Sequence, residues 1–314
     1  MKKISVVIPC YYSEKTIKNV VFRVIDTIEK DGRFDYEVIC INDGSVDGTY
    51  AVLREMADSN VKIKVLDLAR NFGQHSALMA GFNYVTGDYI LCLDDDGQNP
   101  PEEMFKLIDK LIDEDYDLVS AKYDSKKEKR SIIRKLGSKI SFAMSKHMIG
   151  MPDDIELNSY YVMKRFVVDE IIKYDNPYPF VHGLVLRVTK KMANVMITHN
   201  EREVGTSGYT LKSLFSLWLN GFTAFSEKPL RMAAIFGFVV SFLGFLSGII
   251  VIIMKLLGVI NAVGYASIVV IILIFSGIIM MFLGLIGEYV GRIYICLNRS
   301  PQFVIRQEKN TEGK

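Results

Sequence analysis

Cysteine is scarce: four in 314 residues, at Cys10, Cys40, Cys92 and Cys296, with no CxxC spacing. That excludes an oxidised, disulfide-stapled secreted scaffold. The first three lie in apolar, strand-like runs, where a buried free thiol is expected. No GxGxxG and no GxxxxGK[ST] occurs, so neither a dinucleotide-binding fold nor a P-loop NTPase is supported. Charge of one sign does not dominate: Lys and Arg total 38 against 36 Asp and Glu, which argues against nucleic acid as a partner. No secretory leader is evident, because the run ISVVIP after Met1-Lys2-Lys3 is short and β-branched. No internal repeat or low-complexity segment stands out.

What is present, over residues 4–122, is an alternation of strand and helix patterns. Strands are expected at Ile4–Pro9, Tyr36–Ile41, Val61–Leu68, Asp88–Leu93 and Tyr116–Ala121. Helices are expected at Thr16–Lys30, Asp47–Asp58, Gln74–Tyr84 and Pro101–Glu114, the last with Asn99 as N-cap. Such units imply an α/β fold with a mostly parallel sheet covered on both faces, whose ligands bind beyond the carboxyl ends of the strands. The loops at those ends are PCYYSE, NDGSVDGT, ARNFGQHS and DDDGQNPP.

The C-terminal third differs. Met232–Met254 and Val263–Gly287 carry no charge, and each exceeds the ~20 residues that span a bilayer. Two transmembrane helices are therefore expected over 231–288. Lys228 and Arg231 precede them and Arg292, Arg299 and Arg306 follow, which places residues 1–230 and the tail 289–314 in the cytoplasm. The segment 130–149 sets Ile132, Ile133, Leu136, Ile140, Met144 and Met148 near helical spacing among basic residues. It fits an interfacial helix on the lipid bilayer or an ordinary surface helix; 210–225 is a second candidate. The tail after Ser300 is polar, and an extended segment with a frayed end is expected.

Three consecutive carboxylates, Asp94, Asp95 and Asp96, follow the fourth strand. Two explanations fit such crowding. Asp94 and Asp96 can aim at one hard cation, Mg²⁺ or Mn²⁺, with Gln98 adding a carbonyl; or the carboxylates cap the next helix. An EF-hand fails, since Asn99 stands where its glycine belongs and Phe105 where its glutamate belongs.

The ordered motifs PxYxxE (Pro9, Tyr11, Glu14), NDGSxDxT (Asn42–Thr49), RNFGxxxAxxAG (Arg70–Gly81) and GDxxxxxDxDxQxPPE (Gly87–Glu102) resemble family 2 glycosyltransferases with the nucleotide-sugar-binding GT-A fold. Within that family the chain is similar to the polyprenyl-phosphate group, including dolichol-phosphate mannose synthase, bactoprenol glucosyltransferases and the undecaprenyl-phosphate aminoarabinose transferase. The likeness extends through ERxxGxSxY (Glu201–Tyr209), PLR (Pro229–Arg231) and GEYxGRIY (Gly287–Tyr294).

The resemblance implies an inverting transfer of one sugar from a nucleotide-sugar donor to a polyprenyl phosphate acceptor. The setting would be the cytoplasmic leaflet of a bacterial inner membrane, with a multi-pass anchor and a homotetramer joined through the tail. It implies that Pro9, Tyr11, Glu14 and Asp43 hold base and ribose. Asp94, Asp96 and Gln98 would hold the metal against the diphosphate, Lys122, Arg134 and Ser138 the acceptor phosphate, and Arg202 would close over the phosphates. The sequence departs from the family where Tyr12-Ser13 replaces the usual Asn-Glu, where Asp95 replaces a common alanine, and where Ser159 aligns with an aspartate. Asp95 is expected to face away from the metal. Two rival readings are a processive polysaccharide synthase and a membrane-anchored non-catalytic assembly subunit. The lone Trp218, in SLWLNG rather than QxxRW, weighs against the first; the intact acidic motif with Arg134 and Arg202 weighs against the second.

Overall fold

The structure, a computed structural model, describes residues 1–123, most of 151–200, short pieces of 235–257, 264–298 and 300–311. The chain divides into two units: Met1–Phe215 with Arg299–Lys314, and Ser216–Asn298.

The first unit is built on β1 (Lys3–Cys10), α1 (Ile17–Asp31), β2 (Asp35–Asn42), α2 (Thr49–Ser59), β3 (Ile63–Leu68), α3 (Gln74–Phe82), β4 (Tyr89–Cys92), α4 (Met104–Asp113) and β5 (Leu118–Tyr123). Every strand and helix expected over residues 4–122 is there, with ends moved by a few residues. β1 and β2 are buried at every position after the first, as strands covered on both faces must be. α1 buries Ile17, Val20, Val21, Val24, Ile25 and Ile28, one apolar stripe at helical spacing. α3 is instead buried from Ser76 through Phe82. Gly81 permits this depth: a Cβ there would lie 2.7 Å from Ile41 Cδ1 and 2.8 Å from Val7 Cγ1. The fourth helix opens as a 3₁₀ turn over Pro101–Glu103 before α4. Asn99 does not cap it; its side chain accepts from Tyr123 Oη (2.6 Å) instead.

Beyond residue 150 come β6 (Tyr161–Lys164), α5 (Arg165–Ile171), α6 (Val181–Val188), β7 (Met192–Ile197), α7 (Tyr265–Leu297) and β8 (Ile305–Lys309). The eight strands form one sheet in the order β7-β5-β6-β4-β1-β2-β3-β8. The pairs β4–β1, β1–β2, β2–β3 and β5–β7 are parallel; β6 runs antiparallel between β4 and β5, and β8 antiparallel to β3. The chain winds outward from β1 through β2 to β3, then returns to lay β4 on the other side of β1. The carboxyl ends of β1 and β4 thus diverge at a switch point, where α/β sheets open a crevice for ligands. The tail is extended, as expected, and over Ile305–Lys309 it is a sheet strand; its last three residues lie outside the described ones.

In the second unit, α7 is 33 residues long. Its part Phe275–Leu297 has mean hydropathy 1.6, the one helix among the described residues long and apolar enough to cross a membrane. Ile268, Ile271, Ile272, Ile279 and Met280 are exposed along it, far more apolar surface than a soluble helix leaves in water. The helix continues past Gly287, the expected end, to Leu297. The expected first span, Met232–Met254, lies partly outside the described residues, so the two-helix hairpin is not shown. The candidate interfacial helices 130–149 and 210–225 lie wholly outside them.

Candidate functional site

The loops after β1 and β4 meet at the switch point, and Asp95 joins them. Its Oδ2 accepts the N–H of Tyr11 (3.0 Å) and the hydroxyl of Ser13, and burial raises its pKa. Asp95 therefore faces the β1 loop, while its neighbours serve elsewhere. Two further amides of that loop are held in turn: Tyr12 N–H donates to Ser45 Oγ (3.1 Å) and Ser13 N–H to Thr49 Oγ1 (2.9 Å). These anchors keep Tyr12 at φ 57°, a conformation that a bulky side chain adopts only when its surroundings impose it. Tyr11 and Tyr12 stand edge to face at 4.6 Å, each about half exposed.

Asp94 is held from two sides. Gln74, at the start of α3, donates to Oδ1 (2.9 Å), and the Ser159 hydroxyl donates to Oδ2. Burial, with the charges of Asp96 and Asp95 behind it, pushes Asp94 up to about 6, against the pull of the Ser159 bond. Asp96 Oδ1 accepts the N–H of Gln98 (3.1 Å) in a tight turn. The main-chain carbonyl of Gln98 accepts the N–H of Asn200 (3.0 Å). The N-cap residues of the 3₁₀ turn and of α4, Pro100 and Glu103, make no side-chain cap.

The donor set fits a hard divalent cation. Among the described residues no group of three or more His, Cys, Asp or Glu converges as a metal cage. Two carboxylates at a strand end match an ion that keeps much of its coordination shell for water and phosphate oxygens.

The remaining expected residues are placed as follows. Pro9 lies buried inside β1, paired with Ile41. Glu14 Oε2 accepts the N–H of Gly48 (3.1 Å), bracing the β2 loop. Asp43 is buried, and its two oxygens accept the amides of Phe72 (2.7 Å) and Gly73 (2.9 Å); burial raises its pKa. Asp43 therefore pins the RNFG loop. Gly44 beside it sits at φ 65°, with the Arg70 backbone 2.3 Å from where a Cβ would be, so only glycine lets the loops approach. Lys122 pairs with Glu156 (3.0 Å). Arg134, Ser138 and Arg202 lie outside the described residues.

Ser159, which stands where relatives carry an aspartate, gives its hydroxyl to Asp94. Asn158 before it is fixed by Ser120 Oγ (3.0 Å) and the Ala121 carbonyl (2.7 Å), and the His182 ring bonds its backbone. Gln74, Ser13, Ser45 and Thr49 were not foreseen. Ser13 and Gln74 fall at open positions of their motifs, whereas Ser45 and Thr49 are fixed positions of NDGSxDxT; for all four only the fold reveals the partner.

Comparison with known proteins agrees with this geometry. Residues 5–172 match the glycosyl transferase family 2 model. The uncharacterized glycosyltransferase YkcC of Bacillus subtilis is 34% identical, covering 99% of this chain and 95% of that protein. The undecaprenyl-phosphate 4-deoxy-4-formamido-L-arabinose transferase of Klebsiella pneumoniae is 33% identical, covering 98% and 94%. Among solved structures, glucosyl-3-phosphoglycerate synthase from Mycobacterium tuberculosis, in complex with Mn²⁺, UDP-glucose and phosphoglyceric acid, superposes with TM-score 0.51. It is 20% identical, over 71% of this chain and 78% of that one, a likeness of fold. By whole-length identity, family match and strand-end geometry together, the chain belongs to glycosyltransferase family 2.

Proposed function

We propose that this glycosyltransferase moves one sugar from a nucleotide sugar to a polyprenyl phosphate, undecaprenyl phosphate being the first candidate, with inversion at the anomeric carbon. The observation that carries the reading is the likeness over nearly the whole chain to transferases named for undecaprenyl phosphate. The acidic pair Asp94 and Asp96 at the switch point supports it.

In the transfer, an acceptor phosphate oxygen attacks the anomeric carbon and the bond to the nucleoside diphosphate breaks. A phosphate monoester has its second pKa near ~6, so at neutral pH the nucleophile arrives ionised. No enzyme base is needed, which suits a site where serine, not a carboxylate, stands at 159. A bound Mg²⁺ or Mn²⁺ supplies charge neutralisation for the leaving diphosphate. Asp94 and Asp96 would hold it, with the Gln98 side chain nearby. Tyr11 and Glu14 line the donor side. Lys122 reaches a phosphate by exchanging Glu156 for it, and Arg134, Ser138 and Arg202 complete the anionic contacts.

The cytoplasmic, two-span topology belongs to the same proposal. β8 pairs with β3, so the chain on either side of 216–298 returns to one body. Any membrane crossings between must be even in number. With α7 as one, Met232–Met254 supplies the other, and the positive flanks set the orientation. The test is nucleotide-sugar turnover with and without polyprenyl phosphate. The reading predicts consumption that depends on the lipid; equal consumption without lipid contradicts it.

A further inference from the structure

The segment Ala69–Gln74 leads from β3 into α3 and is held at three places. In its middle, Asp43 accepts the amides of Phe72 and Gly73. At its far end, Gln74 donates to Asp94 (2.9 Å). At its near end, Ala69 is clipped to the C-terminal strand. Its N–H donates to the Val304 carbonyl (2.8 Å), and its carbonyl accepts from Arg306 Nη2 (2.5 Å). The β3–β8 register shifts between Asp67 and Leu68, so the ladder bends where this segment begins.

The strand itself is firmly seated. Tyr50 pairs with Gln307 (2.8 Å), Tyr84 with Glu308 (2.8 Å) and Lys309 with Asp58 (2.7 Å). Asn310 donates to the carbonyls of Ala57 (2.6 Å) and Ile63 (2.9 Å). On the near side Gln302, buried, donates to the carbonyls of Tyr174 (3.1 Å) and Asn176 (2.9 Å). A tail that only trailed from the preceding helix would not be tied from Gln302 through Asn310.

We propose that this strand is a positioning part of the donor site: Val304 and Arg306 fix Ala69, so that the loop presents Gln74 to Asp94. Two bonds at Ala69 restrict the backbone where the loop leaves the sheet, and ordering a residue on binding costs conformational entropy. A loop ordered beforehand spares the ligand that cost. Arg306 and Gln74 act through Asp94 and touch no substrate. The donor role rests on the proposed function; the strand-to-loop linkage does not.

The test uses the full-length protein as Arg306→Ala, Gln74→Ala, the double variant, Arg306→Lys and Lys309→Ala. The first readout needs no ligand: amide hydrogen exchange at Phe72 and Gly73. It should quicken severalfold in Arg306→Ala, recover in Arg306→Lys, whose ammonium can reach the same carbonyl, and stay unchanged in Lys309→Ala. The second readout is the Kd for UDP, GDP or CDP with Mn²⁺, whichever the unaltered protein binds tightest. Each single alanine variant should weaken it about fivefold, ~1 kcal/mol. The double variant should lose less than the sum, as for residues acting through one element. Unchanged exchange in Arg306→Ala overturns the linkage, and additive losses overturn the shared route to Asp94. Faster exchange in a protein that binds no nucleoside diphosphate keeps the linkage and overturns the donor role.

Discussion

Among the three adjacent carboxylates, Asp95 shows how one loop divides its labour. It holds the N–H of Tyr11 and the hydroxyl of Ser13, while Asp94 accepts from Gln74 and Ser159 and Asp96 from the Gln98 amide. Asp96→Ala should abolish Mn²⁺ binding and turnover together, measured by metal titration and product formation. Asp95→Ala should keep the metal but raise donor KM about tenfold, because a lost bond to a charged group costs ~1.5 kcal/mol. Equal effects of the two would contradict the division. Ser159→Ala should keep turnover within about tenfold, ~1.4 kcal/mol of barrier, with loss concentrated in metal affinity; a loss of several orders of magnitude at full metal occupancy would assign Ser159 a direct chemical role. The acidic motif was legible in the sequence because its spacing is chemical. Its supports were not, because Gln74 and Ser159 reach Asp94 across 20 and 65 residues, a proximity that only the sheet order creates.

At the scale of elements, local pattern revealed β1 to β5 and their helices but not β6, α5, α6 or β7. β6 has four residues, too few for periodicity to speak; its place between β4 and β5 makes it a strand. β8 is polar, with Arg306, Gln307 and Glu308 exposed, so only pairing with β3 defines it. Its charges also suit a sheet edge, where they discourage further pairing. Within the parallel core, Glu37 on β2 is 1% exposed and joins three strands. It accepts from Ser5 Oγ, the Thr86 N–H and the ammonium groups of Lys3 (3.0 Å) and Lys64 (2.8 Å). Burial alone would raise its pKa, but Lys64, Ser5, Thr86 and Lys3 prevail and hold it at about 2. A depressed folded-state value means that the unfolded chain takes up the proton first. The stabilisation is therefore complete above the unfolded value of ~4.3 and fades as pH falls toward about 2. Glu37→Ala should cost about 3 kcal/mol, as for a broken buried pair, and should flatten the fall of Tm between about pH 5 and pH 2. An unchanged pH profile would remove Glu37 from that role.

For the whole molecule, composition pointed to a membrane protein, and α7 supplies one helix, among the described residues, long and apolar enough to cross a bilayer. The sequence placed its end at Gly287 because Glu288 and Arg292 follow, yet the helix absorbs both and runs to Leu297; two isolated charges do not break an otherwise favourable helix. A cysteine placed near Gly258, with the native cysteines removed, should label with an impermeant thiol reagent in intact cells, whereas one at Lys309 should not; the reverse would refute the orientation. The proposal that joins both units is transfer of a single sugar onto a polyprenyl phosphate. The direct measurement is mass analysis of lipid after incubating membranes with undecaprenyl phosphate and a panel of nucleotide sugars, with Mg²⁺ or Mn²⁺ and with chelator. The expected product is an undecaprenyl chain joined to one sugar through a single phosphate, formed with one donor of the panel, absent in chelator and absent with Asp96→Ala. Donor consumed with no glycosylated lipid, or a lipid carrying a growing polymer, would contradict it.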